Sequence, residues 1–295
     1  MGMPPKGTIV KVRTAVIPVA GFGTRMLPAS RSVPKPMLPV LDTPVVHLAV
    51  LEAVEAGIEH IIFVVSKGQD AVRAYFEHLP DLERAIEAKG NTKLLERMLA
   101  IPKLAQFSYV EQKRQIGLGD AILSAADATS DEPFAVLLPD DVIWSEVATI
   151  GAMIALFAER GRPVIAVREV PDDRVSSLGI VDATEVADRV YTISGMVEKP
   201  PLDEAPSNLA IIGRYVLGAD IFEALQQTRP GAGGEVQITD ALASMILGGV
   251  YAYRFPGDHV DVGRPLGLLQ ASVTEALRRP KMASELQEWL RGLNR

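Results

Sequence analysis

The sequence predicts an α/β protein with a Rossmann-like mixed, mostly parallel sheet flanked by helices. Short apolar runs typical of buried parallel strands alternate along the chain with stretches of helical periodicity. A glycine-rich loop follows the first apolar run, and two acidic residues follow a later one. Open α/β sheets bind their ligands at such strand ends, so the pattern predicts a binding site there.

The first half of the chain begins with a predicted βαβ unit. Thr14 to Ala20 is an apolar run that ends in glycines, which indicates a buried strand followed by a phosphate loop. Gly57 ends the next helix, and Ile58 to Val65 supplies a second strand rich in Ile and Val. The other elements predicted in this half are helices at 45–56, 69–79, 81–99 (broken at Gly90-Asn91) and 120–128, and strands at 107–111 and 133–138.

The second half continues the alternation without an internal repeat, a low-complexity tract or a long linker. We therefore expect a single domain over residues 1–295, with a helical C-terminal tail at about 265–295. The elements predicted here are helices near 147–159, 219–226, 238–247 and 265–292, and strands near 163–168, 179–182, 190–198 and 208–217.

Composition limits the classes of function. The net charge of −7 argues against a broad basic surface for nucleic acid or an anionic membrane, so neither is an expected partner. The absence of cysteine excludes disulfides, thiolate metal sites and a catalytic Cys, and fits a reducing cytoplasm. Met1 to Arg13 lacks the apolar stretch of a signal peptide, and nothing elsewhere approaches the roughly 20 apolar residues that span a bilayer. A cytoplasmic location is expected.

The loop after the first strand contains Ala20, Gly21, Gly23 and Arg25. Small residues let backbone amides approach phosphate oxygens, and a guanidinium binds those oxygens well. The loop is not a dinucleotide-binding fingerprint, because Met26 stands where the third glycine would be, and there is no Walker motif. Taken alone, the loop is either a phosphate site or a tight turn between a strand and a helix.

A single lysine follows ten residues later, in a proline-rich segment from Pro34 to Pro39. Prolines stiffen an extended chain, so Lys35 has little freedom to move and suits an α-phosphate. The alternative is a solvated lysine on a surface crossing.

The two segments together resemble the signature of sugar-nucleotide pyrophosphorylases. Further segments match the family in order and spacing, over about residues 14 to 275. They are Val110 to Gln112 with Gly117 to Ala121, Leu137 to Asp141, and Gly195 to Pro200. The resemblance implies that a sugar 1-phosphate attacks the α-phosphorus of a nucleoside triphosphate in line and expels pyrophosphate, a reaction that depends on positioning and charge neutralisation.

The resemblance also implies roles for individual residues. Arg25 would stabilise the leaving phosphates, Lys35 the α-phosphate, and Lys199 the sugar phosphate. The nucleotide-binding residues would be Ala20, Gly21, Gly23, Gln112 and Gly117, and the sugar-binding residues Gly179 and Glu198.

Magnesium is the expected cofactor, since one or two carboxylates plus substrate phosphates suffice to hold it. The resemblance implies that Asp140 and Asp261 are the ligands. Asp141 is the competitor of Asp140, with a helix cap or turn as its alternative role. The four histidines show no metal-ligand spacing.

Within the family, the helical segment 82–99 and the segment 205–217 favour the bacterial enzymes that form UDP-glucose from UTP and glucose 1-phosphate. Pro36, Leu178 and Val262 depart from the usual residues of that group. Two alternatives are therefore enzymes that use dTTP or another sugar 1-phosphate. A third is a catalytically silent regulator that binds a sugar nucleotide. Relatives usually form homodimers or homotetramers, and we expect the same here.

Overall fold

The computed structural model describes residues 11–293. The prediction that Met1 to Arg13 is not a signal peptide falls largely on residues 1–10, which lie outside the described residues. The strands are β1 Thr14–Pro18, β2 Pro39–Val40, β3 Thr43–Pro44, β4 His60–Val65, β5 Gln106–Glu111, β6 Phe134–Leu137, β7 Asp141–Trp144, β8 Val164–Glu169, β9 Gly179–Ala187, β10 Val190–Glu198, β11 Leu209–Leu217, β12 Tyr251–Arg254 and β13 Asp258–Asp261.

The helices lie close to their predicted positions. The break predicted at Gly90-Asn91 separates α3 from α4, and Asn91 caps α4 because its side chain accepts a hydrogen bond from the Leu94 amide. The helical stretch predicted at 265–292 is two helices, the second starting at Pro280. The helices are α1 Val45–Glu55, α2 Ala71–Phe76, α3 Pro80–Ala88, α4 Thr92–Ala100, α5 Leu118–Ser124, α6 Thr149–Arg160, α7 Asp172–Val175, α8 Asp220–Gln227, α9 Ile238–Met245, α10 Pro265–Leu277 and α11 Pro280–Leu293.

No helix within residues 11–293 has both the length and the apolar character needed to cross a membrane.

Nine strands of the described chain form one sheet, in the order β5-β4-β1-β6-β11-β8-β12-β10-β9. The pairings are parallel from β5 to β6. Beyond β6, the pairings of β11 with β6 and β8, and of β10 with β12 and β9, are antiparallel, and only β12 with β8 is parallel. The predicted mixed α/β class is confirmed. The description of the sheet as mostly parallel needs correction, because parallel pairing dominates only in the first half, where helices connect successive strands.

The core lies on both faces of this sheet. Alternate residues of the central strands point to opposite faces, so Val16 and Ile62 pack on one side while Ile17 and Phe63 pack on the other. Helices α5, α8 and α9 cover the first face, and α1 and α6 cover the second. These strands read as continuous apolar runs because both of their faces are buried.

A second, two-stranded sheet joins β7 to β13 and was not predicted from the sequence. It pairs Asp261 with Asp141, and the Val262 amide donates to the Asp140 carbonyl at 2.8 Å. Residues that are 120 positions apart in sequence therefore meet at the end of β6.

Candidate active site

A cavity of about 380 Å³ lies at the carboxyl ends of β1 and β6. The glycine-rich loop forms one wall, and the segment from Gln112 to Leu118 forms another. Lys35 and Asp140 line this cavity. All of the predicted nucleotide-binding residues line it as well, namely Ala20, Gly21, Gly23, Gln112 and Gly117.

A backbone hydrogen bond and a left-handed glycine fix the path of the loop after β1. The Val19 amide donates to the Val64 carbonyl at 2.8 Å, which extends the strand pairing by one residue. Gly23 then adopts a left-handed conformation with φ of 63° and precedes a short 3₁₀ turn at Thr24–Met26. Arg25 in this turn does not line the cavity, and its side chain reaches Asp140 at the end of β6.

In the opposite wall of the cavity, Gly117 lies very close to the backbone of Val236. Gly117 has φ of 108°, and a Cβ built on it would lie 2.7 Å from the Val236 carbonyl oxygen, so no other residue fits without a shift of backbone. The Gly119 amide donates to the same carbonyl at 2.9 Å. The Gln112 side chain, 6% exposed, reaches this loop and donates to the Gly117 carbonyl at 3.3 Å.

Asp140 and Asp261 lie close together at the edge of the cavity. A Cβ built on Gly263 would be 2.8 Å from Asp261 Oδ1 and 3.0 Å from Asp140 Oδ2, so both carboxylates flank this glycine. The β7–β13 pairing sets their separation, since Asp140 immediately precedes β7 and Asp261 ends β13. Two carboxylates in this arrangement are suitable ligands for a hard divalent cation.

Two predicted cations contact these acids. Lys35 Nζ lies 2.5 Å from Asp140 Oδ2, and the lysine side chain is only 20% exposed. Arg25 lies 3.7 Å from both Asp140 Oδ2 and Asp261 Oδ2, with its side chain 57% exposed. The phosphate loop, the fixed lysine and the two acids therefore form one continuous site.

Asp141, the competitor of Asp140, has a different environment. Its Oδ1 lies 2.7 Å from His259 Nε2, and its Oδ2 accepts from the Gly213 amide at 3.0 Å. Burial by itself raises the pKa of the Asp141 carboxyl, but the hydrogen bond and charge of His259, with those of Arg214 and Gly213, outweigh it and leave the pKa below its usual value. Asp140 lines the cavity beside the glycine-rich loop and Asp141 does not, which favours Asp140 as the metal-binding acid.

A buried arginine near the end of β6 was not predicted from the sequence. Arg214 on β11 is 1% exposed and forms a bidentate pair with Glu52 of α1, with distances of 2.8 to 3.1 Å. It also donates to the carbonyls of Leu138 at 2.9 Å and Asp141 at 2.7 Å. These carbonyls belong to the residues on either side of Pro139-Asp140, so Arg214 holds the backbone that presents Asp140.

Two further arginines near Asp261 were also missed. Arg174 of α7 and Arg264, which follows β13, lie 3.2 and 3.4 Å from Asp261 Oδ2. Both line a second cavity of about 600 Å³ that shares Leu138 and Asp140 with the first. No spacing in the sequence relates Arg174 to Asp261, because only the tertiary fold brings α7 to β13.

The predicted sugar-binding residues form a separate group on β9 and β10. Lys199 Nζ lies 3.2 Å from Glu198 Oε1, and Thr239, which was not predicted, donates to Glu198 Oε2 at 2.7 Å. A Cβ on Gly179 would lie 3.0 Å from Glu198 Oε2. Lys199 itself is left-handed, with φ of 50°, a conformation that costs about 1–3 kcal/mol outside glycine.

This group borders the second cavity. The Lys199 amide donates to the Leu178 carbonyl at 3.0 Å, and Leu178 lines the cavity of about 600 Å³. The structure describes Gly179, Glu198 and Lys199, and none of the three lines either cavity. The predicted sugar residues are thus assembled with one another, next to the second cavity.

Comparison with known proteins places these features in a family. The model of the family described as "Nucleotidyl transferase" matches residues 14–277. The chain is 45% identical over 284 residues to UTP–glucose-1-phosphate uridylyltransferase 2 of Staphylococcus saprophyticus, covering 96% of this chain and 98% of that protein. It is 42% identical to the UTP–glucose-1-phosphate uridylyltransferase of Bacillus subtilis, covering 96% and 97%.

Solved structures agree. A UDP-glucose pyrophosphorylase complexed with UDP-glucose superimposes with a TM-score of 0.83 at 38% identity, covering 91% of this chain and all of that one. The UTP-bound enzyme from Acinetobacter baumannii superimposes with a TM-score of 0.88 at 38% identity, covering 95% and 99%. The chain therefore belongs to the nucleotidyl transferase family.

Proposed function

We propose that this chain is a UTP–glucose-1-phosphate uridylyltransferase, which forms UDP-glucose and pyrophosphate from UTP and glucose 1-phosphate. The observation that carries the proposal is the single site in which the glycine-rich loop, Gln112, Lys35 and Asp140 line one cavity. Relatives with 42–45% identity over 96% of the chain bear the name of this activity.

The cavity beside the glycine-rich loop holds the nucleotide. Gln112 and the Gly117 backbone face the base, and the amides at Gly21 and Gly23 approach the phosphates. Arg25, exposed at the loop end, neutralises the β- and γ-phosphates that depart as pyrophosphate. Lys35 is less exposed and fixed by its proline neighbours, so it neutralises the α-phosphate without needing to reorganise.

Asp140 and Asp261 are the proposed ligands of Mg²⁺. Among residues 11–293, no group of three or more His, Asp or Glu side chains could hold a metal, so water and substrate phosphates would supply the remaining ligands. Magnesium is commonly bound in this way, and the two carboxylates beside Gly263 fit it. When bound, the ion supplies Lewis-acid neutralisation of charge on the phosphates.

Glu198 and Gly179 bind the glucose hydroxyls, and Lys199 binds the phosphate of glucose 1-phosphate. An oxygen of that phosphate forms a bond to the α-phosphorus of UTP, and the bond from the α-phosphorus to the β-phosphate oxygen breaks. Pyrophosphate leaves with the electron pair of that bond. No residue of the protein forms a covalent intermediate, so catalysis consists of alignment and charge neutralisation.

The alternatives are less well supported. A glucose-1-phosphate thymidylyltransferase structure is only 22% identical, with a TM-score of 0.66, and this likeness concerns the fold alone. A silent regulator would not require Lys35 and Arg25 to converge on Asp140.

We also propose that the chain acts as one cytoplasmic domain and assembles as a homodimer or homotetramer. Exposed apolar side chains on α10 and α11 support assembly, including Leu266, Leu269 and Trp289, each at least 60% exposed. Light scattering on the purified protein is expected to give a multiple of the chain mass of 31.8 kDa. A monomer at micromolar concentration would refute the assembly.

The activity is tested by pyrophosphate release across a panel of nucleoside triphosphates and sugar 1-phosphates with Mg²⁺. UTP with glucose 1-phosphate is expected to give the highest kcat/KM. No turnover with any pair would remove the enzymatic function, and a preference for dTTP would favour the thymidylyltransferase alternative.

A further inference from the structure

The side chain of Gln112 has a fixed orientation in the nucleotide cavity. Its Nε2 donates to Asp120 Oδ2 at 2.9 Å and to the Gly117 carbonyl at 3.3 Å. An amide nitrogen carries two hydrogens, so these two bonds use both of them. The Oε1 atom is then the part of this amide that remains for a ligand.

The opposite orientation of the amide is chemically unfavourable. The Asp120 carboxylate and the Gly117 carbonyl are both acceptors, and a rotated amide would place Gln112 Oε1 against them. That rotation would lose one charge-assisted and one neutral hydrogen bond and add repulsion between oxygens. The assignment of Oε1 and Nε2 therefore follows from the chemistry of the partners.

Asp120 contacts the Gln112 side chain from outside the cavity lining. It is 8% exposed and does not line the nucleotide cavity. Its second carboxylate oxygen, Oδ1, lies 3.6 Å from Arg114, which is 73% exposed. The Ser124 hydroxyl donates to the Asp120 carbonyl at 2.8 Å and fixes the backbone. Asp120 is thus buried, held in place and in contact with the amide that faces the base.

We propose that Asp120 is a specificity-determining positioning residue, which holds Gln112 so that only its Oε1 acceptor faces the base. This inference rests on the proposed function. Uracil carries a hydrogen on N3 and donates it to such an acceptor. Where Oε1 lies opposite N3, the unprotonated N3 of cytosine meets it as a second acceptor, so CTP is disfavoured relative to UTP. Thymine has the same N3 hydrogen as uracil, so Asp120 does not separate UTP from dTTP.

The test compares kcat/KM for UTP, dTTP and CTP with glucose 1-phosphate and Mg²⁺ in the wild type and in Asp120→Asn. The variant side chain has nearly the same shape but both donates and accepts, so it permits either orientation of Gln112. The preference for UTP over CTP is expected to fall by about tenfold, the equivalent of one hydrogen bond, while the ratio of UTP to dTTP stays at the wild-type value.

Asp127→Asn is the matched control, because Asp127 is an exposed acid just beyond the end of the same helix. It is expected to leave all three values unchanged. Should Asp120→Asn fail to fold, Asp120→Ser removes the carboxylate that holds Gln112 Nε2, and the same loss of preference for UTP over CTP is expected. A competition experiment with CTP against bound UTP, without glucose 1-phosphate, measures the same preference independently of turnover.

An equal decrease for all three nucleotides would mean that Asp120 only supports the loop, and would overturn the inference. An unchanged ratio of UTP to CTP in a folded variant would overturn it as well. Both results leave the proposed function intact provided that the wild type uses UTP in the same assay. Absence of wild-type turnover would instead refute the proposed function.

Discussion

Replacing Arg214 by methionine tests how the end of β6 is held. Methionine keeps much of the volume but removes the charge and every donor. Glu52, whose side chain is 12% exposed, would then be a nearly buried carboxylate without its bidentate partner. Leaving one member of a buried ion pair uncompensated costs about 3–5 kcal/mol, so we expect the free energy of unfolding to fall by that amount.

Loss of the donors to the Leu138 and Asp141 carbonyls affects the site as well. Those bonds fix the segment that contains Asp140, and a displacement of about 1 Å in such a segment lowers a rate by roughly 10²-fold. We therefore expect kcat to fall in Arg214→Met even under conditions where the variant is fully folded.

Urea denaturation followed by circular dichroism measures the change in stability. The double variant Arg214→Met, Glu52→Leu removes both charges, and is expected to recover at least half of the lost free energy because no buried carboxylate remains unpaired. A single variant that loses less than about 1 kcal/mol, or a double variant no more stable than the single one, would refute this account of the pair.

Three further predictions concern the metal ligands, the site glycine and the C-terminal helices. Asp140→Ala is expected to lower kcat/KM by about 10³-fold, equivalent to the several kcal/mol that a bound metal contributes, and near-normal turnover would rule out this ligand. Gly263→Ala places a Cβ 2.7 Å from Arg25 Nη2, so kcat/KM should fall by roughly 10²-fold with an unchanged melting temperature; wild-type kinetics would show that the close approach is unimportant. The hydrogen bond from Arg279 lowers the pKa of Asp42 to about 2, below its unfolded value, so the pair stabilises the fold above pH 4 and loses this contribution as the pH falls toward 2. Because Asp42 is 46% exposed, Asp42→Asn should cost under about 1 kcal/mol at pH 7, and a pH-independent difference from wild type would contradict the linkage.

Much of the site could be predicted because its signals are local. The strand before the loop, the glycines of the loop and the proline-framed Lys35 each lie within a few consecutive residues. The end of the apolar strand predicts an acidic site at Asp140 and Asp141, and the family resemblance selects Asp140. Short segments of this kind fix backbone geometry by themselves, so periodicity and turn chemistry place the strand and the loop, whereas the roles of their residues were predicted from the family resemblance.

The missed features depend on contacts between distant segments. The strand Asp258–Asp261 has four residues and no apolar alternation, and it becomes a strand only by pairing with Asp141–Trp144. Arg214 lies inside a strand whose other residues are also buried, so a sequence pattern gives no sign that Glu52 lies opposite it. The antiparallel course of β11 was missed because a continuous apolar run does not reveal strand direction.

The central claim is that an oxygen of glucose 1-phosphate attacks the α-phosphorus of UTP within this site. The most direct test uses glucose 1-phosphate with ¹⁸O in the three non-bridging positions of its phosphate, unlabelled UTP and Mg²⁺, with mass spectrometry of both products. We expect all of the label in UDP-glucose, none in pyrophosphate, and one pyrophosphate released for each UDP-glucose formed. Label in pyrophosphate, or pyrophosphate released without UDP-glucose, would contradict the account.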